Sequence, residues 1–167
     1  MPQIERTVEI AAPLEAVFAF VTDITNHNRV APPETQEELL DAGIVPMRSG
    51  TVVKFRARYG GVFWTLASQI TSFDPPSPLH PNTATFRDEQ VRGPFARWQH
   101  DHWFTTTSTG GTRLTDRFTY AAPMGLLGRL VERVWLNNRV RRLLEYMQEA
   151  EKRLIEAEGF SEVGEER

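Results

Sequence analysis

Between Val52 and Ala121 the chain is a succession of short alternating runs separated by turn residues, and no other stretch restricts the fold as strongly. Val52 to Tyr59 and Val62 to Phe73 flank Gly60-Gly61, a pair suited to a tight hairpin. Asp74-Pro75-Pro76 stops the second run. Thr83 to Gln90 then meets Phe95 to Thr107 across Val91-Arg92-Gly93-Pro94, and Thr109-Gly110-Gly111 turns into Thr112 to Ala121. An antiparallel sheet with one apolar face must cover that face. The one element long enough lies downstream, where Leu126 to about Glu158 has helical texture with no proline or glycine after Gly128. Its apolar stripe reads Leu136, Val140, Leu143, Met147, Ala150 and Leu154. A second stripe at Leu127, Leu130, Val131 and Val134 is offset from it, so a bend or a separate first turn is expected at Asn137-Asn138.

Upstream, Gln3 to Ile10 alternates with Ile4, Val8 and Ile10 apolar, which predicts a half-buried strand. Ala12-Pro13 opens a helix from Leu14 to about Val21, with Val17, Phe18 and Val21 as its buried stripe. Thr22 or Asp23 caps a second short helix ending before Pro32-Pro33. Ala31 to Gly50 has three prolines and no period, and reads as a long crossing loop with a turn of helix at Glu37 to Leu40. The order predicts an α+β domain over 1–158: a curved antiparallel sheet of six or seven strands wrapped around a long C-terminal helix, with two short helices after the first strand. Residues 159–167 are expected to form a flexible tail.

Composition narrows the function classes. At 167 residues, with 40% hydrophobic, the chain suits one domain with a substantial core. The absence of cysteine excludes disulfides and thiolate chemistry and favours a cytoplasmic location. No apolar run approaches the roughly 20 residues that span a bilayer, so neither a membrane span nor a signal peptide is expected. A net charge of −3 gives no general reason to bind nucleic acid. Arg139, Arg141 and Arg142 share their helix with Glu132, Glu145 and Glu149 and read as a solvated face. The chain is expected to be a monomer or homodimer, with Trp103 pointing outward beside Gln99 and Asp101. His27 and His80 fall in loop or surface contexts, where solvated imidazoles are the default.

The functional question concentrates in WQHDHWF, residues 98–104. In Thr112 to Ala121 the face Thr115, Arg117, Thr119 is polar, so Leu114, Phe118 and Tyr120 point inward and Asp116 goes with them. A symmetric register about Thr109-Gly110-Gly111 sets Phe104 opposite Leu114, His102 opposite Asp116, His100 opposite Phe118 and Trp98 opposite Tyr120. Opposed side chains approach closely enough to bond, and a buried carboxylate without a partner is costly. The same counting around Gly60-Gly61 sets Ala57 by Trp64, Phe55 by Leu66 and Val53 by Ser68. The concave face then carries Phe55, Trp64, Leu66, Phe86, Trp98, Phe104, Phe118 and Tyr120 together with His100, His102, Asp116, Asp88 and Gln90. Leu143 and Met147 face it from the helix. A mostly apolar concavity with few convergent polar groups is how small-molecule pockets are built; the alternative is a dry core in which these groups satisfy one another.

The run Gly93-Pro94-Phe95, Trp98, His100, His102, Phe104, followed by Gly111-Thr112, Asp116, Tyr120 and Pro123, resembles the START-like, birch-pollen-allergen-like (SRPBCC) superfamily, in its bacterial polyketide cyclase/dehydrase-type ligand-binding branch. Pro32-Pro33, Gly50-Thr51, Trp64, Ile70, Phe86, Asp88 and Gln90 extend the resemblance over about residues 3–155. It implies the helix-grip fold and a hydrophobic cavity between sheet and long helix; some relatives are fused to NAD-dependent epimerases. Tyr146-Met147 departs from the Tyr-Arg that relatives tend to carry.

Three function classes follow. One is a binding module for a lipid, polyketide or aromatic metabolite, with no cofactor. The second is a cyclase or dehydratase in which His102, tuned by Asp116, is the general acid/base and His100 or Tyr120 assists. The third is a metal site built on His100, His102 and Asp116. Ser108 and Ser161 lack a neighbouring base pattern, and no helix follows either diglycine to make a phosphate cradle.

Overall fold

The computed structural model describes residues 2–59, 61–123 and 136–158. Strand β1 (Gln3–Ile10) buries Ile4, Val8 and Ile10. Helix α1 (Leu14–Thr22) starts directly after Pro13, whose carbonyl accepts from Val17 N at 3.1 Å, and buries Leu14, Val17 and Phe18. Its last turn is closed by Thr22 Oγ1 donating to the Phe18 carbonyl at 2.7 Å. Asp23 then accepts from Thr25 N at 3.0 Å and opens a 3₁₀ turn (Ile24–Asn26) that leads into the short helix α2 (His27–Val30).

Six strands meander from here: β2 (Glu38–Asp41), β3 (Val52–Tyr59), β4 (Val62–Asp74), β5 (Thr83–Arg92), β6 (Arg97–Thr106) and β7 (Thr112–Ala121). β1 joins them beside β7, giving one curved antiparallel sheet in the order β1-β7-β6-β5-β4-β3-β2. Helix α3 (Asn137–Ala157) lies against it, and the whole is the α+β helix-grip architecture expected from the sequence. The register is also as counted: Phe104↔Leu114, His102↔Asp116, His100↔Phe118 and Trp98↔Tyr120 on β6–β7, and Ala57↔Trp64, Phe55↔Leu66 and Val53↔Ser68 on β3–β4. A slip of one residue would have turned each of these side chains to the opposite face.

Two expectations are corrected. The turn of helix at Glu37 to Leu40 is instead the edge strand β2, paired Glu38↔Arg56 and Leu39↔Phe55 and laced by Arg56–Glu38 (2.7 Å) and Lys54–Asp41 (2.9 Å) ion pairs. Four residues take strand form because a distant partner supplies the hydrogen bonds, a contribution invisible to local period. The buried face of α3 centres on Val140, Leu144, Gln148, Glu151 and Ile155, with Leu143, Met147 and Leu154 on its flank. The expected stripe shares Val140 and Ala150 with this face but runs one position short of Leu144 and Ile155, and reading apolar residues alone missed the two polar members. The offset stripe Leu127 to Val134, any bend before Asn137, and the 159–167 tail lie outside the described residues.

The core has two parts. Phe18 packs edge-on against Phe86 and Phe104, with ring centroids 6.3 and 5.2 Å away, and tilted against Phe73 at 5.4 Å. Ile4, Phe118, Tyr120, Val140 and Leu144 form the second cluster under α3. Each such side chain contributes about 1.5–3 kcal/mol on full burial. Beside the two clusters the sheet and helix stand apart around a cavity, and that cavity is the site. Among the described residues no helix is long and apolar enough to cross a membrane.

Candidate functional site

The centre of the sheet puts two histidines and two aspartates on one face. Alternation along β6 points Trp98, His100 and His102 inward; β5 adds Phe86 and Asp88, and β7 adds Asp116 and Phe118. Each imidazole lies on a phenyl ring, His102 on Phe86 (centroids 3.9 Å, 16°) and His100 on Phe118 (3.7 Å, 22°), and the two imidazoles are 3.7 Å apart. The rings stack on the imidazoles, whose nitrogens lie 2.6 to 3.6 Å from the two carboxylates.

Asp116 is 2% exposed. Its Oδ1 lies 2.6 Å from His102 Nδ1 and 3.5 Å from His100 Nε2. The 2.6 Å contact is a charge contact rather than an aligned hydrogen bond, since neither atom has a hydrogen-bonding partner in acceptable geometry. Gln148, fully buried on α3, donates Nε2 to Asp116 Oδ2 at 2.5 Å and to the Arg6 carbonyl at 3.2 Å. On the other side of the rings, Asp88 Oδ2 stands 3.6 Å from both His100 Nδ1 and His102 Nε2, while its Oδ1 accepts from Ser68 Oγ at 2.5 Å.

Burial opposes every charge here, and proximity decides which survive. For His102 the desolvation cost is outweighed by the Asp116 and Asp88 carboxylates, which raise its pKa to about 9. Asp116 is desolvated too, yet the two imidazoles hold it well below the usual carboxylate range. Asp88 is lowered against its own burial by His102, His100 and Ser68. His100 moves the other way, neutral through burial and the adjacent His102 charge. Glu151, on α3 above them, is raised to about 8 by burial and then by Asp116. The cluster therefore combines one imidazolium with two carboxylates, beside a carboxyl that holds its proton.

This cluster forms one pole of a cavity of about 500 Å³ between sheet, α2 and α3. Phe55, Trp64 and Leu66 reach it from β3 and β4, Phe86 and Asp88 from β5, Trp98, His100 and His102 from β6, and Asp116 and Phe118 from β7. Leu143 and Met147 close it from α3. Three of the side chains expected on the wall stand elsewhere. Gln90 braces the β5–β6 connection, donating to the Phe95 carbonyl at 2.8 Å and accepting from its N–H at 3.3 Å. Phe104, 1% exposed, belongs to the core around Phe18. Tyr120 is fully buried and donates Oη to Asn137 Oδ1 at 2.6 Å.

Other lining residues were not foreseen. His27, expected in solvent, packs edge-on to Phe55 (4.6 Å) and lies 3.4 Å from Glu37 Oε1. Burial lowers His27 to about 4 and raises Glu37 to about 7, so between those values the pair meets as two uncharged groups. Arg139, read as part of a solvated face, lines the cavity. Gln148 and Glu151 had a usable signal, because they continue the Val140–Leu144 stripe at helical spacing and an inward Asp116 demands a donor. His27 and Glu37 sit in aperiodic sequence and had none.

Solved structures share this architecture. TTHA0849 from Thermus thermophilus superimposes with a TM-score of 0.73 at 16% identity, covering 95% of this chain and 99% of that one. A START superfamily protein from Mycobacterium smegmatis gives 0.63 at 17% identity over 93% and 97%. The Zhui aromatase/cyclase from Streptomyces sp. R1128 gives 0.61 at 20% identity over 92% and 95%. No curated protein matches the chain. Residues 1–156 match the family model described as polyketide cyclase / dehydrase and lipid transport, and the chain, with the sheet, helix and cavity just described, belongs to that family.

Proposed function

We propose that the protein binds a hydrophobic small molecule, a lipid, polyketide or aromatic metabolite, in the cavity between sheet and α3. The observation that carries this reading is the wall itself. Aromatic and aliphatic side chains surround a space of about 500 Å³, and the histidine–aspartate cluster supplies a polar pole able to orient one end of a ligand. Native mass spectrometry of protein purified from its own host tests it, with a co-purifying organic mass as the expected result. Met147→Trp, which fills the space from α3, should fold and lose that mass. A protein that carries no ligand and takes up no apolar fluorophore at stoichiometric concentration would overturn the reading.

A second reading is favoured by the 2.6 Å approach of His102 to Asp116, the arrangement of an acid/base oriented by a carboxylate. In it the cavity cyclises or dehydrates its ligand, with His102 moving the proton and His100 assisting; Tyr120, off the wall, donates to Asn137. The aromatase/cyclase named among the structural neighbours supports the reaction class. Turnover of a poly-β-ketone thioester mimic, reduced roughly 10²–10⁴-fold by Asp116→Asn with its affinity retained, is the expected outcome.

A further inference from the structure

We propose that Asp88, His100 and His102 form a binding site for one divalent transition-metal ion of the zinc(II) type, set in the cavity wall with a coordination position open to the cavity. The donor atoms are Asp88 Oδ2, His100 Nδ1 and His102 Nε2. The carboxylate oxygen is 3.6 Å from each nitrogen, and the three lie within 4.8 Å of one another. A separation of 3.6 Å is too long for a hydrogen bond. It is close to the ~3.4 Å that separates tetrahedral ligands held about 2.0–2.1 Å from a common ion.

What surrounds these atoms is what a metal site requires. A ligating imidazole presents its other ring nitrogen to an outer carboxylate or carbonyl, which fixes the tautomer. Asp116 Oδ1 stands beside that nitrogen on both rings, 2.6 Å from His102 Nδ1 and 3.5 Å from His100 Nε2, as a charge contact rather than an aligned hydrogen bond. Asp116 is itself held by Gln148, and the second oxygen of Asp88 by Ser68, each at 2.5 Å. Two imidazoles and one carboxylate suit zinc or iron(II) rather than calcium or magnesium. Charge agrees, because a dication balances buried Asp116 and half-buried Asp88 with both histidines neutral. The ion takes the place of the proton on His102 Nε2, so a metal-loaded site and an acid/base His102 exclude each other. The set differs from the His100, His102, Asp116 combination read from the sequence, because Asp116 faces the opposite ring edges.

The open position would receive an oxygen of whatever fills the cavity, but the site itself does not depend on that ligand. Cobalt(II) titrated into chelator-stripped protein should give one equivalent of bound ion with visible absorption of a low-coordinate nitrogen and oxygen site, displaced by zinc(II). Asp88→Asn and His100→Gln should each weaken binding by roughly 100-fold or more, and Asp116→Asn by roughly 10–100-fold. His80→Ala should change nothing. Because a ligand variant can lose its fold, wild-type imidazole resonances supply an independent readout: zinc(II) should move those of His100 and His102. No stoichiometric binding, binding that survives Asp88→Asn in a folded protein, or shifts confined to His27 or His80 would overturn the site. None of these outcomes bears on whether a hydrophobic ligand co-purifies.

Discussion

Asp116 shows how much one side chain decides at the residue scale. Its carboxylate faces two imidazoles and takes a hydrogen bond from a helix amide, all out of water. Asp116→Asn keeps the shape and removes the charge, so it should cost about 3–5 kcal/mol in urea unfolding, as expected when one partner of a buried pair is lost. Gln148→Leu leaves Asp116 Oδ2 and the Arg6 carbonyl without their donor, and about 1–3 kcal/mol should follow. Glu37 gives a dependence on pH. Its folded pKa, raised to about 7, exceeds the unfolded value of 4.5, so between those values the folded state holds a proton that the unfolded state has released. That contribution is fully present below pH 4.5 and is lost as pH rises through 7. Glu37→Gln should therefore gain on the wild type by about 1.4 kcal/mol per pH unit across that window. His27, the imidazole facing Glu37, has the opposite slope between about 4 and 6.5, so the wild type is flatter than the variant. Equal slopes in the two proteins would contradict the burial of Glu37. The inward parity of Asp116 was legible because strand alternation leaves one choice, whereas the His27–Glu37 contact joins α2 to a residue beside β2, and no local pattern encodes it.

At the scale of elements, α3 tests how the helix divides its work. Both Leu143 and Leu144 border the cavity, but Leu144 is 2% exposed and sits in the cluster with Ile4 and Phe118, whereas Leu143 is half-buried. Leu144→Ala should cost about 2–5 kcal/mol. Leu143→Ala, bordering space that already exists, should cost less and chiefly change ligand affinity; equal losses in thermal unfolding would mean the helix is rotated from the orientation described. The strands were readable nearly to the residue, because Gly60-Gly61 and Thr109-Gly110-Gly111 mark turns whose register follows from counting. The helix was less so. Its buried face includes Gln148 and Glu151, which only the polar sheet opposite explains, and β2 owes its form to β3. Elements whose reasons are local announce themselves in sequence, and those stabilised across the molecule do not.

For the whole molecule, the cavity makes ligand and stability one measurement. A ligand present at about 100 times its Kd should stabilise the fold by about 2.7 kcal/mol, seen as a raised Tm. The tryptophans report where it sits: Trp64 and Trp98 line the cavity, while Trp103 lies on the outer face under the Arg117 guanidinium, 4.7 Å from the ring centroid. Trp98→Phe should abolish much of a ligand-induced fluorescence change, and Trp103→Phe should leave it; the reverse result would place the ligand on the other side of the sheet. Finally, much of what holds β1 comes late in the chain. It pairs with β7, Arg6 bridges to Glu145 and Glu149 of α3 at 2.6 and 2.5 Å, Lys152 donates to the Glu9 carbonyl at 2.7 Å, and Glu156 accepts from Ala11 N at 2.8 Å. During synthesis, then, residues 3–10 wait through more than a hundred others for their partners in β7, an edge strand in need of shelter. The container closes only once α3 has emerged, and no guest can be kept before then.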